Sequence, residues 1–168
     1  MISLIRVDDR LIHGQAQMVL IKQHEAQDII VIDDFTANNE MLKNIMKSTV
    51  PIGTRAVPIT RERAVEVLRK AANNDRRCIV LTRVPSVYVE CFKQIPELPQ
   101  ELNVASIQAP GADMFIHDAS GNDIPPFHVT KEEVDAIKEI ADMGVHVYLN
   151  LVPGRTELYE WDKIKDKN

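Results

Sequence analysis

Short, nearly continuous apolar runs rich in Ile and Val recur at residues 2–7, 29–32, 56–59, 78–81, 104–107 and 145–149, and stretches with apolar positions at helical spacing separate most of them. Such runs predict strands buried on both faces, because a strand with one wet face alternates apolar and polar positions. Strands alternating with helices predict βαβ units and a mainly parallel sheet. The expected architecture is α/β, a three-layer αβα sandwich around that sheet.

Local signals refine the picture. Thr130 and Glu133 have the spacing of a capping box ahead of Val134, Ile137 and Ala141, and Gly144 closes that helix. Thr60 precedes a second apolar stripe of Ala64, Val65, Leu68 and Ala72. Gly14 opens the first helix, Pro51 and Gly53 end the second connection, and Pro85 starts the fourth helix. Residues 108–126 form the longest irregular stretch, with a small hairpin expected around 114–116; long ordered loops in such folds are usually functional. Near the end, Leu158, Trp161 and Ile164 predict a short helix packing one apolar stripe on the core. Trp161 could instead form part of a subunit contact, which leaves a homo-oligomer open.

The chain has 168 residues, of which 45% are hydrophobic, so a single domain over 1–168 is expected. A net charge of −5, with no basic stripe interleaved with aromatics, argues against a nucleic-acid partner. Cys78 and Cys91 lack the CxxC spacing of metal or redox sites and read as reduced, buried thiols, one in a strand and one in a helix. No run of about 18 apolar residues occurs, and no basic segment precedes an apolar one at the N-terminus. A cytoplasmic protein is expected, one that would serve transport only as the partner of a membrane component.

The strongest chemical signal lies where the first strand runs into the first helix. That turn is where α/β folds keep their chemistry, and it holds His13, with Arg10 three residues before it and Asp8 and Asp9 close by. A histidine that accepts a phosphoryl group needs a neutral nitrogen lone pair, an acceptor holding its other nitrogen, and positive charge where the phosphate oxygens will lie. Arg10 would lower the pKa of His13 and favour the neutral form. Asp9 or a backbone carbonyl could fix the tautomer. The loose transition state of phosphoryl transfer is served by positioning and charge, which a guanidinium and helix N-terminal N–H groups supply without a metal or other cofactor. The bland alternative makes Arg6, Asp8, Asp9 and Arg10 surface ion pairs worth ~0–1 kcal/mol each, with His13 a satisfied helix-start residue. The residues alone leave both open.

Other groups carry weaker signals. His24, His117, His128 and His146 lack paired ligand spacing and are expected to be surface or structural, although His117, near Asp113 and Asp118, could approach the active turn if the 108–126 loop folds over it. Asp33 and Asp34 form the polar end of a buried strand or a wall of the cleft. A phosphoacceptor receiver domain would use the acidic pairs Asp8-Asp9 and Asp33-Asp34 to hold Mg²⁺, but the third strand ends Pro58-Ile-Thr60 with no acceptor Asp. A dinucleotide enzyme would need a GxGxxG turn, absent here. A non-catalytic binding module is the remaining alternative.

The run Arg6-Val-Asp-Asp-Arg-Leu-Ile-His-Gly-Gln15 resembles the phosphorylation-site signature of the enzyme IIB component of the mannose/fructose/sorbose family of the bacterial phosphoenolpyruvate-dependent sugar phosphotransferase system. Ile30-Val-Ile-Asp-Asp34 with Ala37-Asn38, the segment ending Pro51-Ile-Gly53, and Val129-Thr-Lys-Glu-Glu133 resemble it too. The resemblance implies that His13 takes a phosphoryl group on Nδ1 from a phosphohistidine of a IIA protein or domain and gives it to a sugar bound in the membrane IIC/IID complex. It further implies that Arg10 stabilises the phosphate, that Asp9 and Arg6 shape the loop with Gly14, and that the subunit associates peripherally with the permease. The sugar itself would be bound by the membrane component. Two departures stand out. Gln108-Ala-Pro-Gly-Ala112 replaces an Asn-Val-Gly-Gly-like turn, and Leu81-Thr-Arg-Val-Pro85 adds Arg83, making Thr82 and Arg83 candidate outer contacts to the phosphate.

Overall fold

The computed structural model describes residues 1–12 and 17–168 in full and the backbone of residues 14–16. In chain order the strands are β1 (Ile2–Asp8), β2 (Asp28–Ile32), β3 (Arg55–Ile59), β4 (Cys78–Thr82), β5 (Glu101–Gln108), β6 (Met114–His117), β7 (Asp123–Val129), β8 (His146–Leu149) and β9 (Tyr159–Glu160). The helices are α1 (Gly14–Gln23), α2 (Asp34–Ala37), α3 (Glu40–Thr49), α4 (Ala64–Ala72), α5 (Val89–Gln94), α6 (Lys131–Asp142) and α7 (Trp161–Ile164).

The alternation of side chains along each strand builds the layers. On β2, Ile29 and Val31 join one apolar cluster and Ile30 and Ile32 the other; on β4, Ile79 and Leu81 divide from Cys78 and Val80 in the same way. The first face packs Leu20 and Ile21 of α1 and Met46 of α3, and the second packs Leu68 of α4, Phe92 of α5 and Ile137 of α6. Helices therefore cover both sides of a mainly parallel sheet. Its order begins β3-β2-β4-β1-β5, all parallel. The free side of β5 then forks: its first half takes β8 in parallel from Glu101 to Val104, and its end takes β7 at Ile107 and Gln108. The antiparallel strands β6 and β9 finish the two branches.

Strand order places the chemistry. The chain leaves β1 through α1 onto one face and leaves β4 through α5 onto the other, and β1 and β4 are neighbours. Connections that part to opposite faces open a crevice at the carboxyl ends of the strands.

Several local expectations change. Residues 108–126 contain β6 and the first four residues of β7, so nearly half of the stretch is strand and the rest is turn and loop. Pro125 and Pro126 disguised β7; they fall between its paired residues Asp123 and His128, where the register with the edge strand β6 shifts. The hairpin itself is present. Thr130 does stand at the N-cap of α6, but its side chain makes no capping bond, and the Glu133 carboxylate, which the box would turn back to the Thr130 N–H, accepts from Ser86 instead. Thr60 likewise makes no cap, and α4 is entered through a 3-10 turn at Arg61–Arg63. Pro85 begins a 3-10 turn, Pro85–Tyr88, that leads into α5. Trp161 is 1% exposed and packs into the core of its own chain. Cys78 and Cys91 are free and buried, and burial pushes both thiols up to about 11.

Candidate active site

β1 is apolar except for Ser3 near its start and for Arg6 and Asp8, the last two being two residues apart and so on one face of the strand. Both side chains are fully buried, and Arg6 Nη2 donates to Asp8 Oδ2 at 2.9 Å. Arg6 also donates to Asn103 Oδ1 on β5 and, at 2.8 Å, to the Leu151 carbonyl after β8. Its Nε is buried with no partner among the described residues. Burial lowers the Arg6 pKa and Asp8 opposes that shift, so the guanidinium depends on this carboxylate.

Asp8 in turn holds Arg10. Arg10 Nε donates to Asp8 Oδ1 at 2.8 Å and Nη2 to Oδ2 at 3.0 Å, a bidentate fork, and the Arg10 backbone N–H adds a contact to Oδ1 at 3.2 Å. The hydrogen bond to Asp8 raises the Arg10 pKa further, and the side chain stays one-third exposed. One carboxylate thus serves two guanidinium groups. The cluster keeps an excess positive charge whose outer member faces solvent at the crevice.

The backbone of the turn is fixed from several sides. The Asp9 N–H donates to Ser106 O at 3.1 Å and the Leu11 N–H to Asp8 O at 2.9 Å. Gln17, buried on α1, donates from Nε2 to Leu11 O at 2.8 Å. Leu11 adopts φ +54, a left-handed conformation that is costly for a non-glycine residue, while its side chain is 2% exposed in the core. Burial of the Leu11 and Ile12 side chains anchors the far end of the turn.

The sequence-derived site residues fall as follows. Arg10 sits at the crevice with its guanidinium clamped. Arg6 stands behind it, in the core. Asp9 lies on the turn, but one of its carboxylate oxygens is buried with no partner among the described residues, and its carbonyl accepts from Arg83. Gly14 begins α1. His13 lies outside the described residues. Asp8, to which sequence reasoning gave no part in phosphoryl transfer, is the hub; an Arg and an Asp at i and i+2 in a mostly apolar strand were the signal for a buried pair.

Neighbouring expectations also resolve. Thr82 is buried and donates from Oγ1 to the Ile32 carbonyl at 3.0 Å, so it secures β4 to β2 and offers nothing to a phosphate. Asp33 caps α2, accepting from Thr36 N at 2.9 Å, and takes Arg83 Nε at 3.0 Å. Asp34 accepts from the Arg61 N–H at 2.7 Å. His117 does not fold over the turn: antiparallel β6 carries it away from the carboxyl end of β7, to the start of that strand, against Asp123. His128 stacks on Phe115 and His146 pairs with Glu160. The divergent Ala109-Pro110-Gly111 turn borders a groove of 470 Å³ together with Arg61, Ser86 and Glu133.

Residues 2–168 match the family described as the PTS system sorbose subfamily IIB component, PTS being the phosphotransferase system. The chain belongs to this family. It is a phosphocarrier subunit of a sugar phosphotransferase system, a phosphotransferase acting between a IIA donor and a sugar, and IIB membership implies IIA and IIC/IID partners. The probable phosphotransferase enzyme IIB component of Streptococcus pyogenes is 28% identical over 160 residues, covering 95% of this chain and 96% of that one. The sorbose-specific EIIB component of Klebsiella pneumoniae is 26% identical, with 98% and 96% covered. The crystal structure of the IIBSor domain of the Klebsiella pneumoniae sorbose permease superposes with a TM-score of 0.83 at 25% identity, covering 99% of this chain and 98% of that one. The IIB assignment displaces the receiver and binding-module readings; Asp8 and Asp33, which a receiver would turn on a cation, are engaged here by arginines. No helix among the described residues is long and apolar enough to cross a membrane.

Proposed function

We propose that this IIB component carries its phosphoryl group on His13, received from a IIA phosphohistidine and passed to a sugar presented by IIC/IID components, with the subunit working on the cytoplasmic face of the permease. The observation that carries the proposal is the Arg10 guanidinium, forked onto Asp8 at 2.8 and 3.0 Å within three residues of His13 at the mouth of the β1–β4 crevice. A histidine in a turn without such a charge would be a weak acceptor.

In the forward step the ring nitrogen of His13 attacks phosphorus, a new N–P bond forms, and the N–P bond to the donor histidine breaks. Nδ1 is the attacking atom that the family resemblance implies. Charge on the three phosphoryl oxygens changes little in total but spreads at the loose transition state, so fixed positive charge lowers the barrier. Arg10 supplies it without reorganising, because Asp8 and Arg6 already hold it in place. The same cation favours neutral imidazole before transfer. N–H groups at the start of α1, from Gly14 onward, would add donors for the phosphate.

The test is to incubate purified protein with phosphoenolpyruvate, the general phosphotransferase proteins and a IIA protein, and to compare wild type with His13→Ala. Acid-labile phosphate on the wild type alone is the expected result. Equal labelling of both proteins would move the acceptor elsewhere.

A further inference from the structure

Arg83 follows β4, and β4 lies between β1 and β2 in the sheet, with Thr82 in register with both Val7 and Ile32. That register sets Arg83 beside the turn after β1 and beside Asp33 after β2. Its side chain reaches both: Nη1 donates to the Asp9 carbonyl, and Nε donates to Asp33 Oδ1 at 3.0 Å. Asp33 is itself fixed, because it accepts from the Thr36 N–H and hydroxyl as the cap of α2. The bond from Arg83 to Asp9 therefore crosses the β1–β4 crevice, and it grips the peptide next to Arg10. Arg83 does not sit where it could be replaced by packing, being 45% exposed at the side chain. Its two partners account for its orientation.

We infer that Arg83 is a positioning residue for phosphoryl transfer, holding the Asp9 carbonyl across the crevice and so fixing the Arg10 end of the turn, with Asp33 as its anchor. The inference rests on the reading of this turn as the phosphoryl-accepting one. Arg83 acts here through the backbone, and no contact with the phosphoryl group is invoked. The two ends of the link differ in kind. Asp33 steers the guanidinium by charge, whereas the Asp9 carbonyl is the load it holds. Lysine could satisfy one partner but lacks the planar fork needed for both.

The experiment combines single-turnover transfer from phosphorylated IIA, at varied IIA concentration, with amide hydrogen exchange on the unphosphorylated protein. The variants are Arg83→Gln, Arg83→Lys, Asp33→Asn and the double variant Arg83→Gln/Asp33→Asn. Asparagine still caps α2, so Asp33→Asn removes the charge and spares the helix. Arg83→Gln is expected to slow the saturated rate about tenfold, with half-saturation by IIA unchanged, as loss of positioning does. Arg83→Lys falls between it and wild type. Asp33→Asn slows transfer less, and the double variant is no slower than Arg83→Gln, since both changes break one link. Exchange at the Arg10 and Leu11 amides speeds up in Arg83→Gln while α6 keeps its protection. A wild-type rate, a loss confined to half-saturation, or an additive double variant would each overturn the inference. So would unchanged exchange at Arg10 and Leu11, a readout that does not depend on which residue carries the phosphate. Failure of the His13 reading shows separately, as labelling that persists in His13→Ala.

Discussion

At the scale of single residues, the site is a chain of charges built outward from the core. Arg6 holds Asp8, Asp8 holds Arg10, and Arg10 presents charge at the crevice. Arg10→Lys keeps the charge but loses the fork, so slower phosphoryl transfer with little change in melting temperature is expected from stopped-flow and thermal unfolding. Equal transfer rates would remove Arg10 from the mechanism. Asp8→Asn removes the carboxylate between two guanidinium groups and leaves Arg6 buried without its counter-charge, a loss of about 3–5 kcal/mol in urea unfolding together with slowed transfer. If Asp8→Asn is as stable as wild type, the buried pair is not holding the turn. The sequence displayed Arg10 and His13 openly, because they sit in a contiguous run. Asp8 was harder to separate from Asp9: adjacent acids look alike until strand alternation sends one inward with Arg6 and leaves the other on the turn. Arg83 was visible only as a departure, since its partners lie about fifty and seventy residues away and meet it only through strand order.

At the scale of elements, periodicity predicted most strands and helices because burial on both faces leaves long apolar runs that short-range pattern can read. It failed where an element is completed by a distant partner. Thr130 and Glu133 have the spacing of a capping box, yet Glu133 accepts from Ser86 N at 2.9 Å and Ser86 Oγ at 3.0 Å, tying the start of α6 to the turn before α5. Arg61 completes this contact by donating to Ser86 Oγ at 2.9 Å. Burial raises the Glu133 pKa, and the two Ser86 hydrogen bonds only partly oppose it. Between the unfolded value of about 4.3 and the higher folded value, the folded chain binds more protons than the unfolded one, so this group's contribution to stability falls as pH rises through that window. Glu133→Gln keeps an acceptor for the Ser86 N–H and cannot ionise. Its melting temperature relative to wild type is therefore expected to increase from pH 4 to pH 7. A constant difference across that range would show that the carboxylate pays no such cost. β7 was missed for a comparable reason, because its two prolines argue against a strand unless the register shift beside them is known.

At the scale of the whole molecule, strand order converts these local features into a phosphocarrier. β1 and β4 are adjacent, their connections part to opposite faces, and the crevice between them receives the Arg10 turn from one side and Arg83 from the other. The layers were legible from the sequence as a pattern of apolar runs, whereas the order β3-β2-β4-β1-β5 was not, since identical runs can be wound in several orders. The family resemblance points to His13 as the proposed acceptor, and the fold supports that proposal by setting a clamped cation, Arg10, near the start of α1 at the switch between strands. The most direct measurement is site mapping on the protein phosphorylated through IIA, using tryptic peptides kept at alkaline pH and fragmented by electron transfer. The account predicts phosphate on His13 in the peptide of residues 11–22, and phosphate on any other histidine, or on an aspartate, would contradict it.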